Sequence, residues 1–271
     1  MPSGRNTSGA RLLLVAAMAA VWLQAVPARA QATQDPTALA LINQGLALLD
    51  GGTSLSDVTL QATVTYTSGS DIETGTGTLQ ALGDGNSLVV LNLTGGQRQY
   101  ILKNQSGLPA GAWVGTDGSV NLYSFQNCWS DGAWFFPGLV FTSLPGNPQV
   151  GLVNLGSGTW NGQSVNQVQL YQSPQNQAAG VSTLVQAYST ENTYLDPTSG
   201  LPLAIDFNLY ADANPLIQLT GEVQFSNYQS TNGMSVPFHV QRMINGAVVL
   251  DIVVTSVTVN SGLSPNLFNI P

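Results

Sequence analysis

Alternation of apolar and polar residues predicts that most of the chain is antiparallel β-structure. In residues 58–66, apolar positions alternate with threonine and glutamine, the period-two pattern of a strand with one buried face. Residues 215–226 repeat this pattern. Asn245-Gly246 predicts a two-residue hairpin, because both residue types tolerate positive φ. We expect further strands at residues 72–82, 87–94, 98–103, 119–124, 151–155, 164–172, 181–190, 201–211, 236–244 and 247–259.

Two segments depart from this period. Residues 36–49 carry apolar side chains at a spacing near 3.6, which predicts an amphipathic helix that Pro36 opens and Asp50-Gly51-Gly52 ends. Residues 128–141, called the central lid below, concentrate aromatic residues. There we expect Ser130 to cap a short helix and Pro137 to bend or end it.

These elements predict a mainly β fold: an antiparallel, strongly curved, unclosed barrel of about ten strands, with an N-terminal helix and the central lid. The number of strands alone leaves a β-sandwich open as an alternative. The sequence has no fixed-period repeat and no linker-like boundary, so we expect residues 31–271 to form a single domain.

The first thirty residues have the three parts of a secretory signal peptide. Arg5 and Arg11 precede an apolar run at residues 12–26, and Ala28-Arg29-Ala30 matches the small-x-small cleavage pattern. The run is shorter than the roughly 20 residues that cross a bilayer. We therefore expect residues 1–30 to be removed and the protein to be periplasmic or secreted, without a stable membrane anchor. We also expect the protein to be a monomer.

Charge excludes two classes of partner. Three of the six basic residues lie in residues 1–30, which leaves Arg98, Lys103 and Arg242 against 14 acidic residues. Binding to nucleic acid requires a basic surface, and so does electrostatic docking on anionic lipid. We expect neither partner.

Catalytic and metal chemistry have little support in the residue inventory. Nucleophilic catalysis would rest on the sole cysteine, Cys128, and the sole histidine, His239, without an evident orienting group. Zinc needs several cysteine or histidine ligands, and the chain has one of each. Asp84, Asp117 and Asp196 stand in turns where calcium is an alternative, but aspartate also stabilises such turns through hydrogen bonds to its own backbone. We predict a protein that is not an enzyme and has no cofactor and no metal.

Two carbohydrate hypotheses remain as alternatives. Glu73, Glu191 and Glu222 supply carboxylates for a paired-carboxylate glycoside hydrolase, which needs two of them across one cleft. Trp113, Trp129, Trp134 and Trp160 supply aromatic faces for a carbohydrate-binding β-sandwich. The second alternative is the stronger of the two.

A family resemblance favours a different function. The leading helix, the central insertion and the tail together resemble the LolA/LppX-like periplasmic lipoprotein-carrier superfamily. The chain is also similar to uncharacterised secreted bacterial proteins of this kind through Asn127-Cys128-Trp129 and Trp134-Phe135-Phe136-Pro137. The tail segments that carry the resemblance are residues 194–202, 225–228, 236–238 and the ending Leu267-Phe268-Asn269-Ile270-Pro271.

The resemblance implies an apolar concave sheet face, closed by helices, that binds an acyl chain or another apolar partner. It also implies an early arginine that holds the lid, and Arg98 is the early arginine of this chain. The predicted function is thus an exported, non-enzymatic binder or carrier of an apolar ligand, such as a lipid or an acylated partner. The predicted ligand-binding residues are Arg98, Trp113, Trp129, Trp134, Phe135 and Phe136.

The cleavage pattern yields a first prediction. Signal peptidase accepts small side chains at the two positions that Ala28 and Ala30 occupy, so the exported protein should begin at Gln31. Intact-mass spectrometry of the exported protein should give the mass of residues 31–271. Retention of residues 1–30 would contradict the assignment.

Overall fold

The computed structural model describes residues 32–105, 108–130, 132–175 and 178–271. The expected signal peptide and residue 131 of the central lid lie outside these ranges. The helices are α1 (Pro36–Leu49), α2 (Pro137–Thr142) and α3 (Ala179–Tyr188), with short 3-10 turns at Phe125–Trp129 and Pro265–Phe268. The strands are β1 (Asp57–Ser68), β2 (Asp71–Leu82), β3 (Ser87–Leu93), β4 (Gly96–Gln105), β5 (Leu108–Val114), β6 (Val120–Leu122), β7 (Val150–Trp160), β8 (Gln163–Gln172), β9 (Glu191–Leu195), β10 (Pro202–Ala211), β11 (Asn214–Thr231), β12 (Met234–Ile244) and β13 (Ala247–Val259).

All strands of the described residues belong to one antiparallel sheet. Its order is β6-β5-β4-β3-β2-β1-β13-β12-β11-β10-β9-β8-β7, so the first and last strands of the chain pair in the middle. The edges are β6 and β7, which are consecutive in sequence and are joined by the segment that contains the central lid. The predicted mainly β, unclosed architecture is confirmed, with 13 strands in place of about ten.

The core lies on the concave face of this sheet. Inward residues of strands as distant as β3 and β8, for example Val89 and Val168, belong to the same apolar cluster as Ile42 of α1 and Phe135 of the central lid. Sharing one core across so many strands requires the sheet to curve around the two helical segments. A smaller cluster lies on the outer face, where Phe268 of the C-terminal tail covers Leu88 and Ile101.

Local sequence explains both ends of α1. The Asp35 carboxylate accepts hydrogen bonds from the backbone amides of Thr37 at 2.8 Å and Ala38 at 3.0 Å, and Pro36 occupies a first-turn position that needs no donor. The helix ends at Leu49, before Asp50, as the sequence predicts.

The central lid differs from expectation. Pro137 does not end a helix but begins α2, where its missing N–H would have no partner in any case. Ser130 does not cap that helix; it follows the Phe125–Trp129 turn, and its hydroxyl donates to the Asn127 carbonyl at 3.1 Å. Both expectations for these residues are therefore wrong.

One segment that was predicted to be a strand is a helix. Residues 181–190 were expected to form a strand, but Ala179–Tyr188 is helix α3, and β9 follows it. The β-branched residues in this stretch favoured a strand, whereas Val181, Leu184, Val185 and Tyr188 follow the i, i+3, i+4, i+7 spacing of a helix.

Strand β5 was not predicted because Pro109 and Gly111 weaken its β signal. Pro109 pairs only with Asn104 of β4, since β6 begins its pairing at Ala112. The missing N–H of Pro109 therefore faces the free side of the strand, where no ladder bond is lost.

Asp57 fixes the pairing of β1 with β13. It is 2% exposed, and its carboxylate accepts hydrogen bonds from the Ser261 amide and hydroxyl, both at 2.8 Å, and from the Gly262 amide at 3.0 Å. Burial alone would raise the pKa of Asp57, but these hydrogen bonds outweigh it and lower that pKa. The anionic side chain thus holds the turn after the last strand against the start of the first.

Replacing this carboxylate should weaken the fold. Asp57→Asn leaves amides and a hydroxyl without their charged acceptor, so we expect a loss of about 2–3 kcal/mol in the free energy of unfolding at pH 7. A lowered pKa means that the contribution of Asp57 is present above the ordinary aspartate pKa and disappears as the pH falls through the folded-state value. The gap between wild type and variant should therefore shrink in acid, below about pH 4.

Urea unfolding at neutral and acidic pH measures both effects. Asp71→Asn, at an exposed position in the β1–β2 hairpin, is the matched control and should change stability little. An equal loss in the two variants would contradict the role given to Asp57.

Candidate functional site

The helical segments fill only one end of the concave face, and a cavity of about 640 Å³ occupies the other. Strand alternation explains its lining: in β12, Val240 is buried in the core, and Arg242 and Ile244, two and four residues further on, line the cavity. The larger aliphatic residues of the wall come from both halves of the sheet and are Val89, Ile101, Leu102, Leu209, Leu219, Ile244, Val249 and Leu250.

Arg98 lines this cavity from β4. Its guanidinium forms an ion pair with Glu73 of β2 and lies 5.0 Å from the ring centre of Tyr66. The hydrogen bond that Arg98 donates to the Glu73 carboxylate is the largest cause that raises the pKa of Arg98. These partners belong to the sheet and not to the central lid.

The arginine that contacts the central lid is Arg242 of β12. Its guanidinium carbon lies 4.8 Å from the centre of the Trp134 ring and 5.9 Å from that of Phe207, which are cation–π distances. Burial lowers the pKa of Arg242, and the nearby Tyr123 and Tyr100 raise it only in part. Glu191, Ser130 and Trp134 border a narrow gap together with Arg242.

Two tyrosines stand beside these arginines in the cavity wall. Burial raises the pKa of Tyr100 and of Tyr123 well above the ordinary phenol value. Both phenols therefore keep their protons at neutral pH and remain hydrogen-bond donors. The cavity thus combines an apolar wall with the guanidinium groups of Arg98 and Arg242 and the phenol donors of Tyr100 and Tyr123.

The structure separates the residues that the sequence grouped as a ligand site. Arg98, Trp113 and Trp134 line the large cavity. Trp129 is 3% exposed and lines a second, more polar cavity of about 420 Å³. Phe135 and Phe136 are 0% and 1% exposed and pack in the core below the central lid.

Sequence reasoning missed Arg242 and the three tyrosines Tyr66, Tyr100 and Tyr123. One signal was present for Arg242. It shares the strand parity of Val240 and Ile244, so it is a cation at an inward position of an otherwise apolar strand face. A charged residue in that place indicates a function or a partner.

Cys128 and His239 lie in different surroundings. Cys128 is buried, with Sγ 3.5 Å from the Ser124 carbonyl oxygen, and burial raises its pKa to about 11. His239 lies on the outer face of β12, where Nδ1 is 3.1 Å from the Ser226 hydroxyl and Nε2 is 3.1 Å from the Asp251 carboxylate. Cys128 thus packs as a small buried side chain.

The acidic residues considered for other chemistry have local partners. Asp84, Asp117 and Asp196 each accept a hydrogen bond from a backbone amide two residues ahead, the Asx-turn pattern. In the described ranges, no group of three or more histidine, cysteine, aspartate or glutamate side chains is arranged to hold a metal ion. No helix in those ranges has the length and apolarity needed to cross a bilayer.

Comparison with known structures identifies the fold. A LolA superfamily protein from Nitrosomonas europaea matches with a TM-score of 0.52 at 10% identity, over 86% of this chain and 97% of that one. A domain named for outer membrane lipoprotein sorting, from Vibrio parahaemolyticus, matches with a TM-score of 0.50 at 13% identity, over 86% and 96%. Models of known families and curated proteins gave no match. The chain thus has a LolA-like fold.

The raised pKa of Cys128 yields a prediction on reactivity. Only the thiolate is alkylated, so a pKa of about 11 should slow native labelling by iodoacetamide at pH 8 about a hundredfold or more against the unfolded chain. Mass spectrometry of labelling time courses with and without urea gives the ratio. Equal rates in the two states would contradict the buried placement.

Proposed function

We propose that this protein is an exported, non-enzymatic binder or carrier of an apolar ligand, which it holds in the large cavity. The single observation that carries the proposal is the cavity of about 640 Å³ with its mostly aliphatic and aromatic wall. Cavities of about 300–1,000 Å³ with such walls are typical of sites for one small ligand. Trp134 supplies the lid side of that wall, and Arg98 and Trp113 the sheet side.

The setting of the site supports this function. Two proteins with this fold are named for the LolA superfamily and for lipoprotein sorting, and a lipid or acylated ligand suits the chemistry of the cavity.

We infer that residues 31–271 act as one periplasmic or secreted domain after removal of residues 1–30. We further infer a monomer that needs no cofactor and no metal.

The carbohydrate alternatives receive less support. A sandwich needs two packed sheets, whereas the described strands form one sheet. The tryptophans expected to form a sugar platform are dispersed: Trp113 and Trp134 line the large cavity, Trp129 is buried, and Trp160 stacks on Tyr194. Of the carboxylates considered for a glycosidase, Glu73 is paired with Arg98.

A hydrolase is the other alternative, because Ser226, His239 and Asp251 form a hydrogen-bonded row. These residues are cross-strand neighbours on the outer face of β11, β12 and β13. A hydrolase needs oxyanion donors and a concave site next to its nucleophile. Neither the large cavity nor the second, more polar cavity is lined by these residues, and we infer a non-enzymatic protein.

A fluorescent fatty-acyl probe tests the proposal. Each methylene buried in the cavity contributes up to about 0.8 kcal/mol before ordering costs, so affinity should rise with chain length until the cavity is full. Trp134→Ala removes one wall and should weaken binding by about 1–3 kcal/mol.

Trp160→Ala is the matched control, because this tryptophan does not line the cavity. Its ring stacks on Tyr194, with 6.3 Å between the two ring centres. This variant should leave probe affinity unchanged. Affinity that is independent of chain length, together with binding of soluble glycans, would reject the carrier and favour a sugar binder.

A further inference from the structure

The chain contains three asparagine–glycine pairs, and each forms a two-residue hairpin turn. The pairs are Asn161-Gly162, Asn232-Gly233 and Asn245-Gly246. Both residues of each turn have positive φ, from 46° to 83°, which is the backbone of a type I′ turn. We propose that Asn161 is a site of spontaneous deamidation in the folded protein and that the structure protects Asn245 from the same reaction.

The reaction uses the backbone of the turn and one water molecule. The amide nitrogen of Gly162 attacks Cγ of Asn161, and the new C–N bond closes a five-membered succinimide ring. The side-chain nitrogen of Asn161 leaves as ammonia and takes the proton of the glycine amide. Water then cleaves one of the two ring C–N bonds, which gives aspartate or isoaspartate. Glycine favours the attack because it has no side chain that obstructs its nitrogen.

The turn must open before the ring can close. A type I′ turn holds its asparagine in the left-handed region of the backbone, whereas the succinimide ring requires a different ψ. The three sites share their sequence and their turn type. The rate at each site therefore follows the fraction of molecules in which that turn is open.

The turn at Asn161 lies where the sheet is only two strands wide. Strand β7 is at the edge of the sheet, and β8 pairs with β9 only from Asn166 onward. Residues 157–160 and 163–165 thus pair with each other and with no third strand among the described residues. A two-stranded ribbon is marginally stable by itself in water. This end of the β7–β8 hairpin should open more readily than a turn inside the sheet.

One contact holds this hairpin up to its turn. The ring of Trp160 stacks on that of Tyr194, with 6.3 Å between the two ring centres. We therefore expect opening to involve Asn161, Gly162 and the residues that follow them. Asn161 is exposed, so water reaches the succinimide once it forms.

The turn at Asn245 is held by a neighbouring strand. The Asn245 amide donates to the Thr220 carbonyl at 2.8 Å, and the Thr220 amide donates to Oδ1 of Asn245 at 2.9 Å. The strands that this turn joins, β12 and β13, also pair with β11 and β1. Opening must break both bonds to Thr220, and the second of them holds the side-chain carbonyl on β11. Asn245 should therefore react slowly although it is exposed.

The turn at Asn232 is restrained by helix α1. A Cβ atom at Gly51, just after this helix, would lie 2.5 Å from the Gly233 carbonyl oxygen. The backbone of the turn thus packs directly against the backbone that ends α1. This contact limits opening, so we expect the rate at Asn232 to lie between the rates at the other two sites.

Peptide mapping of the purified protein in mildly alkaline buffer tests this order. Mass spectrometry of chymotryptic peptides gives the deamidated fraction at each site over time, in native buffer and in urea. In urea the three sites should react at similar rates, because the turns no longer exist. In the native protein, Asn161 should deamidate about tenfold or more faster than Asn245, because opening at Asn245 breaks two additional hydrogen bonds.

Two matched variants test the assignment by a different measurement. Asn161→Asp and Asn245→Asp each remove one amide from a turn of the same type, and aspartate tolerates the backbone of such a turn. Asn161→Asp should abolish most of the ammonia that the native protein releases. Asn245→Asp should leave this release nearly unchanged.

Several results would overturn the proposal. These are equal native rates at the three sites, a faster native reaction at Asn232 or Asn245 than at Asn161, and no native reaction at any of them. The wild-type comparison decides even where a variant fails to fold. Asn161 and Gly162 line neither the large cavity nor the second one, so the result is independent of the proposed binding function.

Discussion

The pairing of β1 with β13 is the constraint on which the rest of the structure depends. It is the place where the first six strands and the last seven join in one sheet, from Val58 opposite Val259 to Tyr66 opposite Leu250. The Asp57 carboxylate secures one end of this pairing, and the cavity lies at the other. Because the two halves meet here, Arg98 and Tyr100 from one half face the same space as Leu209 and Arg242 from the other.

Period-two patterning predicted most of the fold because one face of each strand is buried. The Asn245-Gly246 hairpin is confirmed, with φ values of 49° and 76° and Ile244 paired with Ala247. Prediction failed where local composition and tertiary setting disagree. Pro109 is acceptable in β5 only because one side of that strand is unpaired, and β-branched residues in α3 imitate a strand. Such settings depend on neighbours that are distant in sequence.

The site was only partly predictable for a related reason. Aromatic content marked the central lid, and Trp134 does line the cavity, but its neighbours Phe135 and Phe136 turn into the core. Consecutive side chains of this segment thus serve two surfaces, and which surface each one meets depends on how the segment lies across the sheet. The significance of Arg242 appears only with its surroundings, because the aromatic rings that it contacts, Trp134 and Phe207, come from parts of the chain that are distant in sequence.

The central lid is tethered at both ends, because it belongs to the segment that joins edge strands β6 and β7. Just before it, Asn127 pairs with the backbone of β10: its side-chain amide donates to the Tyr210 carbonyl at 2.6 Å and its side-chain oxygen accepts from the Tyr210 amide at 2.8 Å. A cover held in this way cannot swing on a single hinge. Under the proposed function, exchange of a ligand would then depend on movement of the sheet that carries both tethers, which would couple the residence time of the ligand to the stiffness of the sheet.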